Sequence, residues 1–336
     1  MPELKYDVLL KQLKSKQYEA VYVFHGEEAF FIDTLTAEIE KNALPEAQQA
    51  FNQTILYGRD IGNNTGLILD AAMRLPMMAE RQVIIVKEAQ NIRDWSALEV
   101  YLERPNPSTL LVFAHKNKKL DGRSGFAKKL KKYGVSFYSK ALRDYEVPKW
   151  VGGYLQANGF TIDPKAEQIL VEFLGTELSK IANELDKLFL VLDKKHIAPA
   201  DIEEHIGISK DYNVFELQNA IMHKQNDKVF RILNYFRQNP KAGNIVFIIG
   251  TIYSLFSKLY SMVNLGTSDQ RELASAMGVN PYFLKDYQKA VQLYSSADIR
   301  RNIGLLAKYD LKSKGVESGS ATDHDLLREM AFQIMA

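Results

Sequence analysis

The chain has 336 residues, 46% of them apolar and 25% charged, which is ordinary for folded domains of roughly 150 residues each. Forty-three Lys and Arg against forty-one Asp and Glu leave a formal charge of +2, which excludes a uniformly cationic nucleic-acid coat and an acidic disordered chain, so a charge-driven partner must meet a local patch. The lack of any cysteine excludes a disulfide framework, a thiol nucleophile, an iron–sulfur centre and a Cys-ligated zinc site, and points to a reducing cytoplasm.

Met1 to Lys16 mix Glu3, Lys5, Asp7, Lys11, Lys14 and Lys16 with apolar positions, so no signal-peptide core is expected there. Five short apolar runs then alternate with helix-period segments: Val21–Phe24, Gln53–Tyr57, Gln82–Val86, Thr109–Phe113 and Val135–Tyr138. Each is nearly continuous in apolar content, as strands covered on both faces are, and the intervening pieces are long enough for crossover helices. The pattern predicts a parallel sheet wrapped by helices over residues 1–140.

From Glu146 onward no further strand is expected. Helical spacing is punctuated there by Asn158-Gly159, Asp163-Pro164, Ala198-Pro199, Asn239-Pro240 and Asn280-Pro281. Pro164 to Leu192 carries two amphipathic helices broken near Gly175. Asp201 follows Pro199 at a helix start, and Gly207 marks a domain edge near residues 207–211. The expected division is 1–140, 141–210 and 211–336. In the last part, Ile245 to Phe256 is the longest apolar stretch; it falls short of the roughly 20 residues of a membrane span and reads as a buried bundle helix. Gly315 to Ser320 reads as a loop before a final helix ending at Met335.

Enzymatic chemistry finds little support. The first strand runs into His25-Gly26-Glu27-Glu28 and a helix from about Ala29, where a nucleotide-binding domain would place its phosphate loop. That loop needs several glycines, a Lys and a Ser or Thr. Glu27 and Glu28 would instead repel a triphosphate, and they suit a helix N-terminus. The third strand ends Val86-Lys87-Glu88, with Lys87 where an ATPase would hold Mg²⁺ through a carboxylate. His25, His115, His196, His205, His223 and His324 lack the i, i+4 spacing of a helical zinc site. Ser124-Gly125 forms no nucleophile elbow, and the adjacent Glu203 and Glu204 do not suggest a shared-proton pair. No catalytic residue, metal or cofactor is expected.

Two features bear on partners. Lys116, Lys118, Lys119, Arg123, Lys128, Lys129, Lys131 and Lys132 stand against one acid, Asp121; both a phosphate-binding patch and a solvated helix face fit this run. Before the third strand, Arg74-Leu75-Pro76-Met77-Met78-Ala79-Glu80-Arg81 places a Pro after a helix and two pliable Met side chains at a strand-leading turn. Core packing and a binding surface both fit them.

The order of these parts resembles the delta subunit of the bacterial DNA polymerase III clamp loader across nearly the whole chain. The segments that carry it are Tyr22–Glu28 with Phe30–Ile32, Leu75–Gln82 leading into Val83–Val86, Leu120–Arg123, Ile181–Leu188, Val214–Ile221, Val279–Leu284 and Asp310–Gly315. The resemblance implies a degenerate AAA+ α/β domain, a small helical lid and an all-helical collar. It also implies no ATP hydrolysis by this chain, since neighbouring motor subunits hydrolyse ATP, and a place in a DNA polymerase holoenzyme. Carried onto this sequence, the element that would wedge into the sliding clamp (the beta subunit) is Leu75, Pro76, Met77 and Met78, with Met where Leu or Phe is common. The implied partners are the clamp, the motor and delta-prime subunits and primed DNA; Lys116, Lys118, Lys119, Arg123, Lys128 and Lys129 could face that DNA or simply a neighbouring subunit. The alternatives from other classes are a nucleotide hydrolase using Glu88 as base and a stand-alone DNA-binding module using the basic run.

Overall fold

The computed structural model describes residues 4–207, 212–265, 269–279 and 281–336. The chain divides into two compact units, Met1–Leu142 and Arg143–Ala336. Of the expected domain edge at 207–211, residues 208–211 lie outside the described residues, as does Asn280 of the Asn280-Pro281 turn.

The first unit runs α1 (Tyr6–Lys14), β1 (Val21–Gly26), α2 (Ala29–Asn42), α3 (Glu46–Asn52), β2 (Gln53–Tyr57), α4 (Gly58–Ile61), α5 (Gly66–Met73), β3 (Gln82–Lys87), α6 (Ser96–Glu103), β4 (Thr109–Lys116), α7 (Gly125–Tyr133) and β5 (Val135–Ser139). The strands form one five-stranded sheet in the order β2-β3-β4-β1-β5, parallel throughout. Tyr22 lies opposite Val112 and Val23 opposite Phe113. Because strand side chains alternate, each strand feeds two cores. Val21, Val23, Ile84, Val86, Leu111 and Phe113 pack with residues of α5, α6 and α7. Tyr22, Phe24, Val83, Ile85, Leu110 and Val112 pack with α1 and α2 through Leu9, Leu13, Ile32, Leu35 and Ile39.

The second unit begins with α8 (Val147–Ala157), β6 (Thr161–Ile162), α9 (Pro164–Leu174), α10 (Leu178–Val191), β7 (His196–Ile197) and α11 (Pro199–Ile206). The break expected near Gly175 is there, with Gly175 at φ +73° ending α9. Gly207, at φ +80°, caps α11. The expectation of no strand after Glu146 is corrected: β6 and β7 pair in parallel, Thr161 with His196 and Ile162 with Ile197. Two residues are too few to show a period, and one of the four side chains, Ile197, is buried.

Helices α12 (Val214–Met222), α13 (Asn226–Gln238), α14 (Ile245–Asn264), α15 (Gln270–Met277), α16 (Leu284–Leu293), α17 (Ser296–Ser313) and α18 (Asp323–Met335) complete the chain. Helix α14 is 20 residues long, not the shorter piece expected, and by length and composition alone it would suffice to cross a membrane. Polar residues such as Ser257, Ser261 and Asn264 extend the helix beyond the apolar run without breaking it. Its Ile248, Ile252, Leu255, Phe256 and Leu259 are instead buried in the helical core, together with Ile299, Leu306 and Tyr309 of α17. The Tyr294 hydroxyl donates to the Ile221 carbonyl at 2.6 Å, tying the C-terminus of α16 to α12.

Candidate functional site

Pro76 cannot continue a helix, and α5 stops at Met73. Its terminal carbonyls would be left bare, yet side chains from the far side of the sheet edge reach them. Thr109 donates to the Ala72 carbonyl at 2.8 Å, Asn106 to the carbonyls of Ala72 and Arg74 at 3.1 and 3.2 Å, and Gln82 to that of Arg74 at 2.5 Å. The departure point of the loop is thereby fixed.

Its tip is held separately. Buried Asn52, the last residue of α3, accepts from the Met77 N–H at 2.6 Å and donates to the Met77 carbonyl at 2.9 Å. Gln48, one turn earlier, donates to the Met78 carbonyl at 3.4 Å. Met78 sits at φ +52°, a left-handed conformation that costs a β-carbon-bearing residue about 1 kcal/mol or more and is kept where surroundings over-determine it. The side chains point outward: Leu75 is 82% exposed, Met77 60% and Met78 97%. Core packing of the two methionines is therefore ruled out. Phe51, the neighbour of Asn52 on α3, is 73% exposed. The sequence reading missed Phe51 and Asn52, because nothing in the local pattern ties α3 to a loop 25 residues onward.

At the opposite edge of the sheet the phosphate-loop position is filled. The Glu28 carboxylate caps α2 by accepting from the Phe30 N–H at 2.9 Å, taking the kind of donor a phosphate would need. Ser139 at the end of β5 donates through its hydroxyl to the Glu28 carbonyl at 2.6 Å and accepts from the Glu28 N–H at 3.2 Å. A β-carbon on Gly26, which sits at φ +141°, would fall 2.0 Å from the Ser139 carbonyl oxygen. The His25 ring, hydrogen-bonded to the Ser136 hydroxyl at 3.1 Å, is held neutral: burial, then neighbouring His115 and Lys119, push it down to about 4. Lys87 pairs with Glu40 at 2.8 Å. Glu88 turns the backbone at φ +54°, and its carbonyl would lie 2.1 Å from a β-carbon on Gly58.

The basic run is less isolated than its sequence neighbours imply. Asp121 holds Arg123 through two contacts of 3.1 Å, but Asp121 is not the only acid involved. Lys116 pairs with Asp33 of α2 and Lys129 with Glu103 of α6, acids distant in sequence that crossover connections bring alongside. Lys119 lies over the Tyr138 ring at 4.5 Å.

A family model described as DNA polymerase III, delta subunit, matches residues 22–139, and one described as DNA polymerase III delta subunit, C-terminal domain, matches residues 211–332. The chain belongs to the DNA polymerase III delta-subunit family. The first match runs from the second residue of β1 to the end of β5, and with it takes in both edges described above. DNA polymerase III subunit delta of Bacillus subtilis is 26% identical over 90% of both chains. A probable DNA polymerase III subunit delta of Aquifex aeolicus is 21% identical over 88% of this chain and 86% of its own. The solved structure of the Bacillus subtilis DNA clamp loader delta protein shares the fold, with a TM-score of 0.56 at 24% identity, covering 98% of this chain and 99% of the other.

Proposed function

We propose that this chain is the clamp-loader subunit that grips the ring-shaped sliding clamp through Leu75, Pro76, Met77 and Met78 and holds the ring open while primed DNA enters. The observation that carries this reading is the loop from Arg74 to Arg81, which presents apolar side chains to solvent from a backbone fixed by Asn52. A preorganised loop loses little entropy on docking, so burial of two Met side chains at ~1.5–3 kcal/mol each goes mostly into binding. An apolar wedge seated at a subunit interface favours the open ring to the extent that it binds that state more tightly.

The chain acts without hydrolysing ATP. Support for this comes from the Glu28 cap and the Ser139 backbone at the phosphate-loop position. Residues 141–210 serve as the lid and 211–336 as the collar that joins the motor and delta-prime subunits. Lys116, Lys118, Lys119, Arg123, Lys128 and Lys129 face DNA in the assembled complex, where Lys118 and Lys128, with no ion pair among the described residues, contribute most.

Ring opening tests the reading directly. A clamp carrying a donor and an acceptor dye across one subunit interface loses energy transfer when excess chain is added without nucleotide, and retains it with the Met77→Ala, Met78→Ala variant. Unchanged transfer on a clamp saturated with the wild-type chain refutes the opening role.

A further inference from the structure

The second unit contains a groove of about 1390 Å³ that the clamp-contact loop does not involve. Helices α8 and α9 form one wall, and α12, α14 and α15 the other. Its volume exceeds the ~300–1,000 Å³ of pockets that enclose small molecules, so an extended segment fits it better. The lining is largely apolar, with Phe215, Phe247 and Tyr287 among it, and Phe247 remains 39% exposed.

Among the described residues that line the groove, Lys149, Lys258 and Arg271 are cationic and Glu167 alone is a carboxylate. Burial pushes the Glu167 carboxyl above the usual carboxylate range. The walls are also braced. Buried Glu216 of α12 contacts Lys165 of α9 at 2.8 Å and Lys228 of α13, and although burial alone would raise it, the two ammonium groups hold the Glu216 carboxyl below the usual range. The groove is thus preformed.

We propose that this groove docks an acidic peptide segment of a protein partner, its carboxylates meeting Lys149 and Arg271 and an aromatic or long aliphatic side chain packing on Phe247. Nucleic acid offers the same negative charge, but the apolar lining favours a peptide with side-chain anchors over a phosphate backbone. The proposal is independent of the clamp contact.

Gly250 on α14 lines the groove, and a β-carbon there would meet nothing within 4 Å. Gly250→Leu therefore fills the groove at a position where helix propensity favours the change. The probe is a fluorescein-labelled peptide of about ten residues, spanning ~3.3 Å each when extended, in which Asp and Glu alternate with Phe and Leu. Titrated with the full chain and followed by anisotropy, it binds saturably. Gly250→Leu weakens binding about tenfold or more with no fall in thermal midpoint, and so does the Lys149→Glu, Arg271→Glu pair. A peptide with Lys in place of the acids does not bind.

Three results overturn the proposal. One is no saturable binding of the acidic peptide, or binding that Gly250→Leu leaves intact. Another is preferential binding of labelled oligothymidylate lost in Gly250→Leu, which assigns the groove to nucleic acid. The last is a dimer by sedimentation that Gly250→Leu dissociates, which assigns it to a second copy.

Discussion

At the carboxyl edge of the parallel sheet, Gly26 and Ser139 approach so closely that no side chain fits between them, and the Glu28 carboxylate occupies the Phe30 N–H at the start of α2. At the amino edge, the residues before β3 stand clear of the fold with Leu75 and Met78 almost fully exposed. The same device builds both: side-chain groups satisfy backbone donors and acceptors that secondary structure leaves over. Ser139 uses it to close a space, and Asn52 uses it to hold a surface open. One parallel sheet can thus be packed shut at one end and present exposed apolar side chains at the other.

Breaking the closed edge has the largest expected effect. Gly26→Ala places a β-carbon against the Ser139 carbonyl and adopts a backbone conformation reserved for glycine. A loss of about 4 kcal/mol in urea-unfolding stability follows. A fall of less than about 1 kcal/mol contradicts the packing of this edge.

The same edge sets an acid sensitivity. His25 has an ordinary value of 6.5 unfolded and about 4 folded, so below pH 6.5 the unfolded chain takes up a proton that the folded chain refuses. Stability is complete above that pH and declines as pH falls toward about 4, by about 3 kcal/mol for this residue. His115, also pushed down by burial, adds in the same direction. His25→Gln, which cannot titrate, flattens the decline measured by urea midpoints between these limits; an unchanged slope rules His25 out as its source.

The open edge breaks more gently. Asn52→Ala removes both bonds to Met77 and leaves the apolar residues in place. It costs about 2 kcal/mol in stability and reduces clamp affinity several-fold through loosened presentation. Affinity equal to wild type in a folded variant shows that the loop does not need its brace. Smallest is the effect of the lysines beside the closed edge: Lys118→Ala with Lys128→Ala lowers the salt slope of DNA binding by the assembled loader by about 2. An unchanged slope removes them from the DNA path.

The sheet was legible in the sequence because doubly covered strands are apolar at consecutive positions; Gln53–Tyr57 matches β2 residue for residue. The two-residue strands β6 and β7 carry no such signal. Met77 and Met78 were legible only as a choice between core and surface, since Met serves both. What decides it is a bond from Asn52, 25 residues earlier, and a set of carbonyl contacts from Gln82, Asn106 and Thr109. These are tertiary pairings between polar residues with no periodicity. The partners of Lys116 and Lys129 were illegible for the same reason, because Asp33 and Glu103 approach the basic run through the fold.

The central claim is that the exposed methionines before β3 are the clamp contact. Isothermal calorimetry of the full chain with the sliding clamp of the same organism, without nucleotide, tests it most directly when wild type is compared with the Met77→Ala, Met78→Ala variant. The account predicts saturable wild-type binding that weakens by at least about a hundredfold in the variant, the equivalent of losing ~3 kcal/mol. Equal binding by the two proteins, or no binding by a folded wild type to an intact ring, contradicts it.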